Sequence, residues 1–518
     1  MQQKKTCEFY RIERRPEAYA ESAADYSLPD YNSDVRKILF TDAEVRPASK
    51  FVGDGELELS GIVVYTVVYS DNEGRLESVS FTSDYDLTSK CNTEGLEEVV
   101  FDTRVQNFAI RPIGPRRISA RCSLASSITL SYKEGCEIDG DVFSGEEEPE
   151  LLRGKMNYER ECATQTLERE YAEPIVRLDG AIADEVSVIF SDAEVKINEL
   201  SELDDGIAVS GEILLSAVIK SYEEPARLYT KTLSFSETLQ NPDKKDGAVY
   251  FPTATVTSLR VNVNAEETGS EVVADFIVEL GAVCKYNESV EYVKDAYLKS
   301  RATENGYTKI SSGELLYASR ESESFAAELP RADILEDGIR EIVFLKASPR
   351  LNSIDTGEGS MTLSGEIKYT GVASALSEDG EPSYSAVKFT VPYTRTVSVL
   401  KGRENMKADA KIKAGAVGVT VDAGTVYVSC ELECSATAVG YSEYTLLSSS
   451  NTCEGEKFGG RSEIVVYYPE AGESLYSVAK KFHTSESKIA LDNALSATAS
   501  ADGTEGYSLS GTERLMIF

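Results

Sequence analysis

The chain has 518 residues and carries 88 Asp and Glu against 53 Lys and Arg, a formal net charge of −35. That sign excludes tracking of nucleic-acid phosphates and adhesion to a bare anionic membrane as expected roles, and the length predicts three or four domains. Nine Cys and a single His argue for reduced thiols and against Ser-His-Asp or Cys-His catalysis and His-based metal sites.

The first residues include Lys4, Lys5, Arg11, Arg14 and Arg15 with no apolar run between them, so no secretory signal is expected. No window of about 18 uninterrupted apolar residues predicts membrane insertion, and a cytoplasmic location is expected. A short helix is predicted over Ala18–Tyr26. Beyond it, one stretch occurs three times: Ile38-Leu39-Phe40-Thr41-Asp42-Ala43-Glu44-Val45, then Val188-Ile189-Phe190-Ser191-Asp192-Ala193-Glu194-Val195, then the drifted Ile342-Val343-Phe344-Leu345-Lys346-Ala347-Ser348-Pro349. Phe40 to Gly61, Phe190 to Gly211 and Phe344 to Gly365 each span 21 residues and each end on a Ser-Gly pair. Chance predicts roughly 0.2 such coincidences, so the chain contains a repeat. Its period, 150 and then 154 residues, is that of a domain and not of a solenoid.

Each copy reads as a succession of strands. After the Ser-Gly run comes a Phe followed by a hydroxyl residue, Phe81-Thr82, Phe235-Ser236 and Phe389-Thr390. The last strands alternate most cleanly, with Ile118, Ala120, Cys122, Leu124, Ile128 and Leu130 on one parity in the first copy. Val272, Ala274, Phe276, Val278, Leu280 and Ala282 do the same in the second, and Val426, Val428, Cys430, Leu432, Cys434 and Ala436 in the third. Period two over a dozen residues predicts antiparallel strands with one dry face. Turn signals at Asp71–Gly74 and Ser377–Gly380 fit β-sandwiches or barrels. Cys430 and Cys434 would lie about 13 Å apart along a strand, too far for a disulfide or a shared zinc. Polar junctions are expected at Gly140–Pro149 and Leu298–Gly306, and a hinge at Ser448–Gly460 with Gly459-Gly460.

After the hinge the pattern changes. Ile464–Tyr468 is β-prone, and Leu475, Val478, Ala479 and Phe482 form the stripe of a short amphipathic helix N-capped by Ser474. A second helix starts at Ser485, carries Ile489 and ends near Asn493, and Arg514–Ile517 closes as a strand. The corner Gly472-Glu473-Ser474-Leu475, with Val478-Ala479, Phe482, Ile489, Asn493, Gly511 and Leu515-Met516-Ile517, resembles LysM. It departs from that pattern at Glu473, Ala494, Ser510 and Pro469. With a C-terminal LysM, the repeated unit resembles the SPOCS domain of endospore formers, and the chain as a whole resembles SipL-like spore coat morphogenesis proteins.

The expected architecture is mainly β: three tandem antiparallel β-sandwich or barrel-like domains followed by a small βααβ LysM domain. The expected boundaries are 1–150, 151–302, 303–447, a linker at 448–462, and 463–518. The resemblance implies a non-enzymatic scaffold in the mother-cell cytoplasm at the forespore surface. It would bind the spore coat morphogenetic ATPase, chiefly through LysM, and other coat proteins. The alternative ligand is peptidoglycan, an N-acetylglucosamine polymer. In LysM modules the groove falls on Gly472, Glu473, Ser474, Leu475 and Tyr476 with Leu491, Asp492, Asn493 and Ala494, and Tyr468 and Tyr476 are the candidate aromatic anchors. No cofactor, metal, nucleotide or catalytic residue is expected. His483 reads as a helix-end residue, there is no glycine-rich phosphate loop, and Glu146–Glu148 with Asp139-Gly140-Asp141 read as a solvated loop and not a calcium site.

Overall fold

The structure, a computed structural model, describes residues 6–221, 225–240, 247–336, 339, 341–357, 359–376, 382–399, 405–455, 457–458, 463–470, 472–499, 505–507, 509 and 514–518. The turn expected at Ser377–Gly380, together with Gly459, Gly460, Ser510 and Gly511, lies outside the described residues. The chain is mainly β, in several antiparallel sheets.

Three successive stretches repeat one arrangement of strands. The first holds β1 (Thr6–Arg14), β2 (Ala18–Ser27), β3 (Lys37–Gly53), β4 (Glu56–Ser70), β5 (Leu76–Lys90), β6 (Leu96–Gly114) and β7 (Arg117–Glu137). The second holds β8 (Glu150–Ala163), β9 (Leu167–Asp179), β10 (Ser187–Glu202), β11 (Gly206–Lys220), β12 (Arg227–Gln240), β13 (Val249–Glu266) and β14 (Gly269–Tyr297). The third holds β15 (Thr303–Pro330), β16 (Glu341–Gly357), β17 (Ser360–Leu376), β18 (Pro382–Ser398), β19 (Met406–Val421) and β20 (Thr425–Thr452). Each stretch makes one three-stranded sheet, β3-β4-β5, β10-β11-β12 or β16-β17-β18. Each also makes a second sheet around its last long strand. That strand is flanked on one side by β6, β13 or β19, and on the other by β1 then β2, β8 then β9, or β15 alone. Pro16, which has no N–H to give a ladder, lies in the break between β1 and β2. The third stretch crosses the corresponding region unbroken, with a bulge between Leu315 and Tyr317.

Alternation sets which face is dry. The parity residues read from β7, β14 and β20, such as Leu124, Phe276 and Leu432, are all buried, and each sheet pair encloses an apolar core of its own. Ala18–Tyr26 is not a helix but lies within β2, paired with β7 from Ser126 back to Ile118. Its alanines favour helix locally, but a long partner strand offering a full ladder overrides that weak preference.

The repeated Phe block owes its role to a β-bulge. In all three copies the register slips at the same place, between Ile38 and Phe40, Val188 and Phe190, and Ile342 and Phe344. The slip reverses the parity of the strand. Ile38, Ala43 and Val45 therefore pack into the local core, while Leu39 and Phe40 turn the other way into a separate cluster. A second slip follows between Pro47 and Ser49, Ile197 and Glu199, and Leu351 and Ser353, beside Gly61, Gly211 and Gly365 on the partner strand. There the bulged strand comes so close that a Cβ on Gly61, Gly211 or Gly365 would collide with the carbonyl oxygen of Arg46, Lys196 or Arg350. The 21-residue spacing is thus a bulge and the glycine it requires. Gly211→Ala is expected to destabilise the protein by about 1–3 kcal/mol, because the obstructing atom is backbone and cannot swing aside. Chemical denaturation of the full chain measures this, and an unchanged midpoint would mean that the bulge yields freely.

Register also corrects one alignment. Phe81 and Phe389 lie opposite Tyr65 and Tyr369, but Phe235 lies opposite Gly211, where the other copies place Tyr85 and Tyr393. Phe235 therefore covers the bare Gly211 as Tyr85 covers Gly61, and the similarity of Phe235-Ser236 to the other Phe-hydroxyl pairs is a coincidence of spacing.

The three Phe blocks meet. The rings of Phe40, Phe190 and Phe344 form a near-equilateral triangle with centroid separations of 5.3, 5.0 and 4.7 Å. Val68, Val218 and Val372, their cross-strand partners, close around them. The three stretches therefore surround a common centre. A second junction joins β1, β8 and the β15–β20 sheet through Phe9, Met156, Tyr158, Tyr292 and Leu446. The Arg14 guanidinium there donates twice to the Glu159 carboxylate, at 2.6 and 2.6 Å.

β20 runs to Thr452, past the expected boundary at 447, and stays paired with β15 as far as Thr303. Two described residues of the expected hinge are also held: the Cys453 N–H donates to the Ala302 carbonyl and the Phe458 N–H to that of Ser300. There follow β21 (Val465–Tyr467), α1 (Leu475–Lys481), α2 (Glu486–Asp492), β22 (Ala497–Ala499), β23 (Glu505–Tyr507) and β24 (Leu515–Ile517), with β21 paired to β24 and β22 to β23.

Candidate functional site

The C-terminal segment is built from short capped elements. Gly472, at φ 86°, supplies a left-handed corner. Ser474 then caps α1: its Oγ accepts from the Ser477 N–H at 3.1 Å, and the Ser474 N–H donates back to the Ser477 hydroxyl. Ser485 caps α2 through the Lys488 N–H. The Glu473 carboxylate accepts from the Tyr467 hydroxyl and the Glu470 N–H, which fixes the corner against β21. Asn493 donates to the Met516 carbonyl and accepts its N–H, fastening the end of α2 to the free edge of β24.

The expected groove residues divide into two groups. Gly472, Ser474, Leu491, Asp492 and Ala494 are exposed, and Glu473 and Asn493 are half-buried. Leu475 and Tyr476 are buried: Leu475 lies in the core of the segment, and Tyr476 lies edge-on to Tyr297 of β14 at 5.3 Å. Around that contact the Tyr297 hydroxyl donates to the Thr484 carbonyl at 2.6 Å and the Lys480 ammonium pairs with Asp295 at 2.5 Å. Burial pushes the Tyr297 and Tyr476 phenols well above their usual range. Tyr476 is thus an anchor within the chain and offers no surface to a ligand. His483, at the end of α1, stacks on Phe458 at 3.6 Å.

Tyr468 is exposed, and it does not stand alone. β21 and β24 turn Val465, Tyr467, Leu515 and Ile517 toward the helices and leave the other parity outward. Val466 lies directly across from Met516, and Ile464, Tyr468 and Phe518 flank them. These five side chains are between 40% and 67% exposed, and Leu491 of α2 is 83% exposed. The Lys488 ammonium reaches the Phe518 carbonyl at 3.0 Å, which brings the α2 face carrying Lys488 and Leu491 beside this sheet. The sequence did hold the signal: Ile464–Tyr468 and Leu515–Phe518 are apolar at both parities. A two-stranded sheet with helices on one side can bury only half of such residues.

A second site lies beside the Phe triangle. Two residues beyond each Phe stand Asp42, Asp192 and Lys346, and the Lys346 ammonium pairs with both carboxylates, at 2.7 and 3.2 Å. The replacement that reads as drift in the third copy therefore supplies the cation two converging acids need. Glu44 and Glu194 follow two residues later, and Arg46 lies 3.3 Å from Glu44. The cluster borders a cavity of about 170 Å³ lined by Asp42, Glu44, Arg46, Asp192 and Lys346 among others. Burial acts to lower the Lys346 pKa, but Asp192 and Asp42 outweigh it and hold the ammonium well above its usual value. Burial, reinforced by Asp192, raises Glu194 to about 7, and burial raises Glu44 as well.

Two acids of the expected solvated loop are clamps. Asp141 accepts from the Thr452 N–H at 2.6 Å and from its hydroxyl. Glu147 accepts from the Lys299 N–H at 2.8 Å and from Ser300. Hydrogen bonds, those from Thr452 above all, hold the Asp141 carboxyl below its usual range. Among the described residues no group of three or more His, Cys, Asp or Glu is placed to hold a metal ion, and no helix is long and apolar enough to cross a membrane. The chain matches no family model, no curated protein and no solved structure.

Proposed function

We propose that the chain is a non-enzymatic scaffold of endospore coat assembly, with three SPOCS-like β domains (1–150, 151–302 and 303–447), a linker at 448–462 and a LysM-like βααβ module at 463–518. In this reading it works in the mother-cell cytoplasm at the forespore surface and binds the coat morphogenetic ATPase through the C-terminal module. The threefold recurrence of the sheet pair supports a spacer built by repetition. The strand, two capped helices and closing strand at the C-terminus support the LysM likeness, although the β22–β23 hairpin stands between α2 and β24 where the expected βααβ order has none. The observation that carries the binding role is the outward face of β21 and β24, where five large apolar side chains are exposed together. Patches of that kind mark interaction surfaces, and Tyr and Met suit the centre of one. The contact is thereby assigned to Ile464, Val466, Tyr468, Met516 and Phe518 with Leu491, in place of Leu475 and Tyr476.

The test is co-purification of the coat ATPase with the full chain carrying Val466→Asp and Met516→Glu. Two central positions of an interface are worth about 2 kcal/mol each, so binding should weaken by about 1,000-fold while circular dichroism stays unchanged. Undiminished binding by the folded variant would reject this face. Retention of the wild-type chain by insoluble peptidoglycan but not by the ATPase would favour the glycan ligand instead.

A further inference from the structure

Two pairs of cysteines far apart in sequence stand directly opposite each other in the ladders: Cys7 with Cys136, and Cys162 with Cys284. Their surroundings differ. Cys284 is fully buried, whereas Cys7 and Cys136 are both half-buried. Cys7 and Cys136 also form part of the wall of a cavity of about 140 Å³, shared with Arg153, Glu291, Tyr292, Val293 and Leu447. Directly opposed residues of antiparallel strands hold their Cβ atoms about 4.5–5.5 Å apart, and a disulfide spans about 3.5–4.5 Å. A small adjustment therefore joins the two sulfurs. The Cys136 S–H donates to the Leu447 carbonyl of β20 at 3.9 Å.

We propose that Cys7 and Cys136 form a thiol–disulfide exchange site for small disulfides, with Cys7 as the attacking sulfur and Cys136 as the resolving one. The Cys7 thiolate attacks one sulfur of the disulfide, forms a mixed disulfide and expels the other half as a thiolate. Cys136 then gives up its proton and attacks the Cys7 sulfur, expelling the second half. Two protein thiols are oxidised, one small disulfide is reduced to two thiols, and the Cys136 proton passes to the departing thiolate. The Cys136 S–H is directed to the Leu447 carbonyl, which keeps Cys136 the protonated partner, and the neighbouring Cys136 lowers the Cys7 pKa to about 7 against the opposing effect of burial. The nearness of Cys7, with burial, raises Cys136. Attack by the thiolate form is what sets such rates. The product ties β1 to β7 beside the junction of β1, β8 and β15, closing a long loop of chain, which favours the folded state. This inference does not depend on the scaffold reading.

The probe is 4,4′-dithiodipyridine with the full chain carrying Cys453→Ser, which removes the exposed thiol. The expected result is a fast phase releasing two thiopyridones per chain, a peptide map linking Cys7 to Cys136, and a raised thermal midpoint. Cys7→Ser should abolish the fast phase. Cys136→Ser should halve its amplitude and leave the pyridyl adduct on Cys7, and Cys162→Ser should change neither. A fast phase that survives Cys7→Ser, or a product map without the Cys7–Cys136 link, would overturn the proposal.

Discussion

Replacing Phe344 with alanine is expected to cost about 3–5 kcal/mol, the range for removing a fully buried aromatic ring. The ring is 3% exposed and touches both Phe40 and Phe190, so the deletion breaks two of the three aromatic contacts, each worth about 0.5–1.5 kcal/mol beyond burial. The loss should fall on the junction and not on any one sheet pair, since each pair keeps its own core. Calorimetry should then show one cooperative transition dividing into several, and protease should cut first at the segments between the sheet pairs. A single transition at the wild-type temperature would mean that the triangle contributes nothing to holding the three stretches together. Because the rings touch one another, the double variant Phe190→Ala/Phe344→Ala should lose less than the sum of the single changes.

The triangle shows what the sequence could and could not reveal. The three Phe-to-Gly spacings and the alternation of β7, β14 and β20 are local patterns, and they locate the repeat and its dry faces correctly. The bulge at Leu39, Ile189 and Val343 carries no residue signature, so nothing in the sequence shows that Phe40 turns away from the core that Ile38 enters. Convergence of the three copies is a long-range fact, and the exchange of Asp for Lys346 gains meaning only once the strands are seen to meet. The same limit applies to Tyr476. Its position in the corner suggested a ligand contact, but the ring that covers it belongs to Tyr297, far away in sequence. Ala18–Tyr26 failed for the related reason that pairing with β7 outweighs local preference. In the C-terminal segment the caps at Ser474 and Ser485 are local chemistry and were readable, whereas the outward face of β21 and β24 needed the pairing of Val466 with Met516 to become visible.

The ion cluster beside the triangle leads to the second large effect. Lys346→Met should destabilise the folded chain by about 3–5 kcal/mol near neutral pH, because it strands the half-buried Asp42 and Asp192 carboxylates without their counter-charge. The lower figure is the better expectation. Lys346, Asp42 and Asp192 each keep between 20% and 24% of their side-chain exposure, and the cavity of about 170 Å³ that they border exceeds the roughly 10–15 Å³ that one water requires. Acid should restore much of the loss as the stranded carboxyls take up protons. The wild-type chain should show a milder trend of the same direction through Glu194. Its folded pKa of about 7 lies above the ordinary 4.5, so protonation favours the folded state. Its contribution is complete below the ordinary value and is lost as pH rises through about 7. Glu194→Gln should therefore match the wild type in urea denaturation near about pH 4 and exceed it near about pH 8. Combined with Lys346→Met it should recover part of the neutral-pH loss, since one fewer carboxylate is left without its cation. A Lys346→Met protein as stable as the wild type at both pH values would show that the ammonium is not what reconciles Asp42 with Asp192.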